Sequence, residues 1–277
     1  MNDDEKYLFD LTGYLLVENV LDTDEVARCN EAIDHHADRI GLRTGDLSLS
    51  GGSPGLKGET GRGDLGGALG WESPWRDPFR QLLAHPRIVP YLNEILGPGF
   101  RMDHAPGLIT MDKGAEGHTF HGSSGPGFDP NQYYIFKNGR MHCGLTVVAW
   151  QFSDIDEGDG GLCLIPGSHK GNYACPTAMR RYEHYREFVK AITCKAGDAV
   201  IFTEATTHGT LPWQADHQRR SMLFRYTAGN LAYATGYNPW PDSFLDGMNP
   251  EQRALLEPPY HTRLNRPVLG DQGRRVT

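Results

Sequence analysis

The sequence predicts a mainly β protein of the α+β kind, an antiparallel sandwich or barrel carrying helices on one face. Three observations carry this. Two stretches of helical periodicity precede residue 100, short β-type segments follow it, and glycine- and aspartate-rich turns separate those segments. The 277 residues suit one domain (1–277) with enough chain to bury a sizeable core.

Gly13 to Val20 is rich in strand formers. Asp22 then caps a helix, with Glu25 three residues on completing a capping box. Val26, Cys29, Ile33, Ala37 and Ile40 fall on one stripe of that helix, so it lies on something apolar. Residues 41–70 hold eleven glycines and few bulky side chains, which predicts a long glycine-rich loop of the kind used as a lid. Ser73-Pro74 opens a second helical region, with Pro at its first position and Phe79, Leu82, Leu83, Ile88, Tyr91, Leu92, Ile95 and Leu96 as its buried side. Gly97-Pro98-Gly99 ends it.

Strand-like segments follow at 108–111, 144–152, 162–165, 199–203 and 221–227, punctuated by turns such as Gly158-Asp159-Gly160-Gly161 and Ala196-Gly197-Asp198. From about residue 234 the chain carries many prolines with Trp240, Phe244 and Tyr260, predicting an irregular extension pinned by aromatics, with frayed residues from Asp271 onward.

Composition narrows the function classes. Lys plus Arg number 27 against 35 Asp plus Glu, a net charge of −8 that opposes binding to nucleic acid or an anionic membrane surface. No basic segment followed by an apolar core marks a secretory signal, and no apolar run suits a membrane span, so a cytoplasmic location is expected. The five cysteines form no Cys-x-x-Cys pair and read as reduced, buried small hydrophobes. A homo-oligomer is compatible with all of this.

Among twelve histidines, His121 and His208 sit beside strand ends with small neighbours that leave room for a ligand. Neutral imidazole suits iron, zinc or copper, and a two-histidine site with open positions can admit oxygen and a chelating co-substrate. Arg219, eleven residues after His208, leads into the apolar strand Met222-Leu223-Phe224. A guanidinium aimed into a strand-lined pocket is costly to bury unless it meets a carboxylate, which its planar fork can bind with two hydrogen bonds. A dicarboxylate reaching from metal to arginine answers both demands.

The run from Gly158 through Pro166-Gly167-Ser168-His169 to Asn172, with Ala196-Gly197-Asp198 to Phe202, His208-Gly209-Thr210 and Arg219, resembles the phytanoyl-CoA dioxygenase family of Fe(II)/2-oxoglutarate oxygenases. The likeness covers most of residues 10–230. It implies a double-stranded β-helix, a jelly roll of cupin type, with Fe(II) as cofactor and 2-oxoglutarate and dioxygen as co-substrates. It also implies oxidation of an aliphatic carbon of a small molecule, with succinate and carbon dioxide released.

Carried over by position, the resemblance makes His121 and His208 metal ligands and Arg219 the clamp on the far carboxylate of 2-oxoglutarate, with Thr210 and Ser221 assisting. Residues two apart on a strand share a face, so Ser221 can reach the same carboxylate while Arg220 points away. The family's usual His-x-Asp would need a carboxylate where this chain has Ser123. Asp129, or Glu204 four residues before His208, is a substitute ligand. Otherwise the position is vacant, as in halogenating relatives, or catalysis has lapsed and the protein binds a ligand only. A zinc enzyme on a cupin barrel is the further alternative, and it gives Arg219 no purpose. Ser123, His118 and Trp213 are candidate pocket residues, although a histidine placed as His118 is more often on the solvent side.

Overall fold

The computed structural model describes residues 1–122, 128–233, 239–261 and 264–276. In chain order the elements are α1 (Asp3–Thr12), β1 (Tyr14–Val17), α2 (Thr23–His35), β2 (Gly41–Leu42), β3 (Gly63–Gly66), α3 (Asp77–Leu83), α4 (Val89–Leu96), β4 (Arg101–Met111) and β5 (His118–His121). There follow β6 (Tyr134–Lys137), β7 (Arg140–Cys143), β8 (Thr146–Gln151), β9 (Gly161–Leu164), α5 (Thr177–Arg180), β10 (Lys190–Ala191) and β11 (Ala199–Thr203). β12 (His208–Leu211), β13 (Arg219–Thr227), α6 (Asp242–Leu245) and α7 (Pro250–Leu255) complete the chain.

Among the described residues, seven strands form one sheet in the order β1-β11-β8-β13-β4-β3-β2, and four form another in the order β10-β9-β12-β5. Neighbouring strands in both run antiparallel, and the two sheets share an apolar layer as a jelly roll does. The sequence of the central strands explains the layering. Every residue of β8 and β11 is buried, because both faces of these strands are covered. Val148 and Trp150 of β8, Ala199 and Ile201 of β11, and Met222, Phe224 and Tyr226 of β13 point to one side, where they pack with Ile33, Phe79, Leu82 and Leu92 of the helices. The alternate residues Val147, Ala149, Val200 and Phe202 point to the other side and meet Leu162 and Leu164 of the smaller sheet. Helices thus cover one face of the large sheet, as expected.

The α2 capping box forms as read, with the Asp22 side chain accepting from the Glu25 amide and Glu25 reaching back. Other expectations need correction. The second helical region begins at Asp77, not Ser73, and Pro78 supplies its early proline; Ser73 to Arg76 form turns. Residues 41–70 are not a free glycine-rich loop. β3 pairs with β4 from Gly63↔Thr110 to Gly66↔Gly107, and the stretch before it is tied down by the Gly117 amide to the Leu56 carbonyl and the Thr119 amide to the Leu49 carbonyl. Backbone bonds do part of the anchoring, and polar side chains add to it: Glu116 accepts from the Leu49 amide and the Ser48 hydroxyl, and Arg181 donates to the Gly51 carbonyl. The extension from 234 is not wholly irregular either. α7 packs its Leu255 into the helix-side core and Trp240 stacks on Phe244, while Leu269 and Arg275 bridge, so residues 271–275 are tied back rather than frayed. Helix α1, capped by Asn2 and Glu5, went unread because its stripe buries only Phe9.

The five cysteines are free, and all but Cys175 are buried. No helix among the described residues is long and apolar enough to cross a membrane.

Candidate metal and co-substrate site

The site lies between the sheets, where the apolar layer gives way to polar side chains. Antiparallel pairing of β5 with β12 puts His121 directly opposite His208, their rings 4.2 Å apart. Each ring is held from behind. Nδ1 of His208 faces the Thr206 carbonyl at 2.7 Å and Nδ1 of His121 faces the Thr119 carbonyl at 3.2 Å. A ring nitrogen beside a carbonyl must donate, so Nε2 of each imidazole keeps its lone pair for a ligand. Burial pushes both histidines down to about 4, so both are neutral at physiological pH.

The turn from β11 into β12 brings the third group. The Glu204 amide donates to the Leu145 carbonyl and the Thr206 amide to the Thr203 carbonyl, folding the chain back so that Glu204 Oε2 stands 3.6 Å from His208 Nε2. His121, Glu204 and His208 offer ligand atoms that all lie within 4.8 Å of one another. Two imidazoles and a carboxylate with open positions are the donor set of non-haem Fe(II) centres. Glu204 is buried, which raises its pKa, while His121 and Arg225 act against that rise. A bound dication would favour its charged form far more strongly.

Asp129, the other substitute ligand, is not brought to the histidines; its carboxylate accepts from the Asn131 amide in a local turn. Ser123 lies outside the described residues.

Arg219 stands at the other end of β12. Leu211, the last residue of that strand, pairs with Gly161, and a side chain on Gly161 would press on the Arg219 Nε at 3.1 Å. Gly161 has φ +77, so its backbone also favours glycine, and the Gly160-Gly161 turn makes room for the guanidinium. β12 thus runs from His208 to the turn beside Arg219, three residue steps or about 10 Å of extended backbone. Arg219 is 2% exposed, has no carboxylate within ion-pair distance among the described residues, and leaves Nε without a hydrogen-bond partner. Its recorded contact is the Met111 sulfur at 3.3 Å. Burial lowers it to about 10, still charged at neutral pH. Ser221, on the same face of β13, is fully buried with Oγ also unpartnered. Two unpartnered buried donors on one strand face suit an anion. Arg220 points away, to Asp34 and Asn30.

A cavity of about 90 Å³ joins these groups, lined by His118, His121, Glu204, His208, Thr210 and Arg219 among others. Thr210 borders it as expected. His118 does too, rather than facing solvent, and burial pushes it down to about 3. Trp213 sits in the apolar cluster with Ile109 and Met111 and donates to the His217 carbonyl; Gly161 has both Trp213 and Arg219 as neighbours. The sequence reading did not single out Arg62 and Arg225, which also line the cavity. Arg225 was findable, since Arg219, Ser221, Leu223 and Arg225 alternate on one strand face.

The sequence matches the family model described as phytanoyl-CoA dioxygenase over residues 9–221. The chain belongs to this family. No curated protein matches the sequence. Solved structures of similar fold include HygX from Streptomyces hygroscopicus with nickel and 2-oxoglutarate bound, at a TM-score of 0.67 and 18% identity over 87% of this chain and 90% of that one. The non-heme alpha ketoglutarate dependent carbocyclase SnoK from nogalamycin biosynthesis aligns at a TM-score of 0.59 and 15% identity, covering 90% of this chain and 93% of that one. The epimerase SnoN from the same biosynthesis aligns at 0.56 and 17%, covering 86% and 92%. Within the family motif the Ser168 hydroxyl donates to the Ile165 carbonyl and accepts from the Thr207 amide, so the Pro-Gly-Ser turn steadies the residue before His208.

Proposed function

We propose that this protein is an Fe(II)- and 2-oxoglutarate-dependent oxygenase that hydroxylates an aliphatic carbon of a small molecule. His121, His208 and Glu204 hold the metal, and Arg219, with Thr210 and Ser221, receives the far carboxylate of 2-oxoglutarate. The observation that carries the reading is the pairing of a two-histidine, one-carboxylate cluster with an unpartnered buried arginine at the opposite end of one short strand. A five-carbon dicarboxylate chelating at one end and charged at the other suits that spacing. The family, the 2-oxoglutarate bound in HygX and the alpha ketoglutarate dependence of SnoK and SnoN support the cofactor pair. Hydroxylation is our choice among the outcomes this fold hosts, which include epimerisation and carbocycle formation in SnoN and SnoK. We also read the chain as one domain, since a single apolar cluster runs from Phe9 to Leu269.

When bound, iron and 2-oxoglutarate supply oxygen activation, with conversion of the co-substrate to succinate and carbon dioxide and oxidation of a substrate C–H bond. The protein's own residues do the rest. The Thr206 and Thr119 carbonyls fix the imidazoles in the tautomer that presents Nε2. Arg219 orients the co-substrate by its distal end, and Ser221 donates to the same group. Ile109, Ala149, Leu162, Phe202 and Leu223 wall the cavity and limit water near the reacting atoms. Glu204 makes a vacant, halogenase-like position unnecessary, and Arg219 gives a zinc hydrolase no advantage.

The test is anaerobic reconstitution with Fe(II), followed by 2-oxoglutarate and the visible metal-to-ligand charge-transfer band. A band in the parent that Arg219→Ala abolishes is expected. A folded protein that binds Fe(II) yet shows no band overturns the reading.

A further inference from the structure

Arg62 and Arg225 line the same cavity as the proposed metal ligands, and neither is used by the metal or by 2-oxoglutarate in the reading above. Arg225 lies on the same face of β13 as Arg219, six residues on, and reaches Glu204 only at 4.0 Å, beyond hydrogen-bond length. Since Glu204 stands beside His208, the two arginines of β13 bracket the histidine pair from opposite sides. Arg62 enters from the segment before β3. Its Nε donates to Asp64 Oδ1 at 2.8 Å and Nη2 reaches Oδ2 at 3.4 Å, leaving Nη1 without a recorded partner among the described residues. Asp64 is shared with Arg43, so its single charge is divided between two guanidiniums.

Charge balance then decides what the cavity lacks. Three guanidiniums, of Arg62, Arg219 and Arg225, face two carboxylates, of Glu204 and Asp64, and the latter is partly claimed by Arg43. A metal dication and the 2-oxoglutarate dianion cancel each other, so loading them leaves at least one positive charge uncompensated. Arg62 and Arg225 are partly buried, and holding such a charge away from water is costly unless a ligand meets it. Burial lowers the Arg225 pKa and the neighbouring Arg62 charge pushes the same way, despite Glu204. Were Arg225 there only to neutralise Glu204, a direct hydrogen bond would be expected and Arg62 would be superfluous.

We infer that Arg62 and Arg225 form a second anion-binding subsite beside the metal position, so the primary substrate is an acid that presents a carboxylate or a phosphate to them. This rests on the functional reading above, because the charge balance assumes that Arg219 is taken by 2-oxoglutarate.

The experiment is calorimetric titration of the Zn(II)-substituted protein, saturated with 2-oxoglutarate, with four probes of equal chain length: hexanoate, hexyl phosphate, hexanamide and hexylamine. The two anions should bind at least about tenfold tighter than the amide and the amine, the loss expected when a charged hydrogen bond is removed. Preference for hexanoate or for hexyl phosphate tells which head group the subsite takes. Arg62→Gln and Arg225→Gln should each erase the anion preference in a folded protein that keeps its Zn(II). Arg219→Gln should lose 2-oxoglutarate and retain the anion preference. Equal affinity for all four probes, no binding of either anion, or an anion preference unchanged in both Arg62→Gln and Arg225→Gln overturns the inference. Failure of 2-oxoglutarate to bind, with the anion preference still lost in those two variants, instead removes the earlier reading and leaves the subsite standing.

Discussion

Glu204 and His208 are four residues apart in sequence, and a turn rather than a helix brings the Glu204 Oε2 to 3.6 Å from the His208 Nε2. The same turn brings both within reach of His121, so the histidine's own hairpin offers a carboxylate where Ser123 has none. If this is the ligand set, Glu204→Gln keeps the shape but removes the charge, and Fe(II) or Co(II) affinity should fall by at least about 100-fold, the upper end of what loss of a mere supporting group costs. Asp129→Asn should leave metal affinity unchanged. Anaerobic metal titration separates the two, and the opposite ranking would return the ligand role to Asp129.

Gly122 controls the approach of that turn. It follows His121 with φ +121, and a methyl group there would lie 2.6 Å from the Thr206 carbonyl oxygen and 2.9 Å from that of Glu204. Both contacts are with backbone, which cannot swing aside as a side-chain tip can. Gly122→Ala should therefore move Glu204 and His208 away from His121, abolish tight metal binding and cost about 1–2 kcal/mol or more for the backbone conformation alone. Chemical denaturation and metal titration on one sample would check both effects; full retention of metal affinity would contradict the geometry.

Acid should destabilise the fold through a histidine outside the site. His169 is buried against Gly13 and Tyr134, with Nε2 at 3.0 Å from the Asp10 carbonyl, and burial pushes it down to about 4. Its ordinary value is about 6.5 in the unfolded chain. Between those limits only the unfolded state takes up the proton, so stability is intact above about pH 6.5 and declines toward pH 4, by up to about 1.4 kcal/mol per pH unit from this group. Denaturant unfolding at pH 7 and pH 5 should show the decline. His118, His121 and His208 are depressed as well and add to the same decline, so His169→Gln should make the slope shallower without abolishing it, and an unchanged slope would assign the acid sensitivity to the site histidines alone.

Much of this was legible in the sequence, and the failures have physical causes. Capping chemistry is local, so Asp22 and Glu25 gave α2 its start without tertiary knowledge. His121 and His208 stood out by their small neighbours at strand ends and Arg219 by leading into an apolar strand, while the roles proposed for them came from the family resemblance. The choice between Asp129 and Glu204 was not legible, since it depends on which way a turn folds, and backbone bonds from Leu145 and Thr203 decide that. The glycine-rich segment misled for a related reason. Pairing of Gly63 to Gly66 with β4 needs no side chains, so composition could not reveal the strand that follows Arg62 and fixes it at the cavity.

Ser221 should trade stability for binding. Its Oγ is fully buried on the Arg219 face of β13 and has no hydrogen-bond partner among the described residues. Leaving a buried hydroxyl unpaired costs about 1–3 kcal/mol, so Ser221→Ala, which removes the hydroxyl and little volume, should stabilise the ligand-free protein by about 1 kcal/mol. If that hydroxyl donates to the far carboxylate of 2-oxoglutarate, the same substitution should weaken the co-substrate by about tenfold, the value of one hydrogen bond to a charged group. The two effects have opposite signs, which a general loss of packing cannot produce. Thermal unfolding without ligand, set beside 2-oxoglutarate titration of the metal-loaded protein, reads them separately. A variant that is less stable and binds equally well would make Ser221 a packing residue and leave Arg219 and Thr210 to hold the carboxylate.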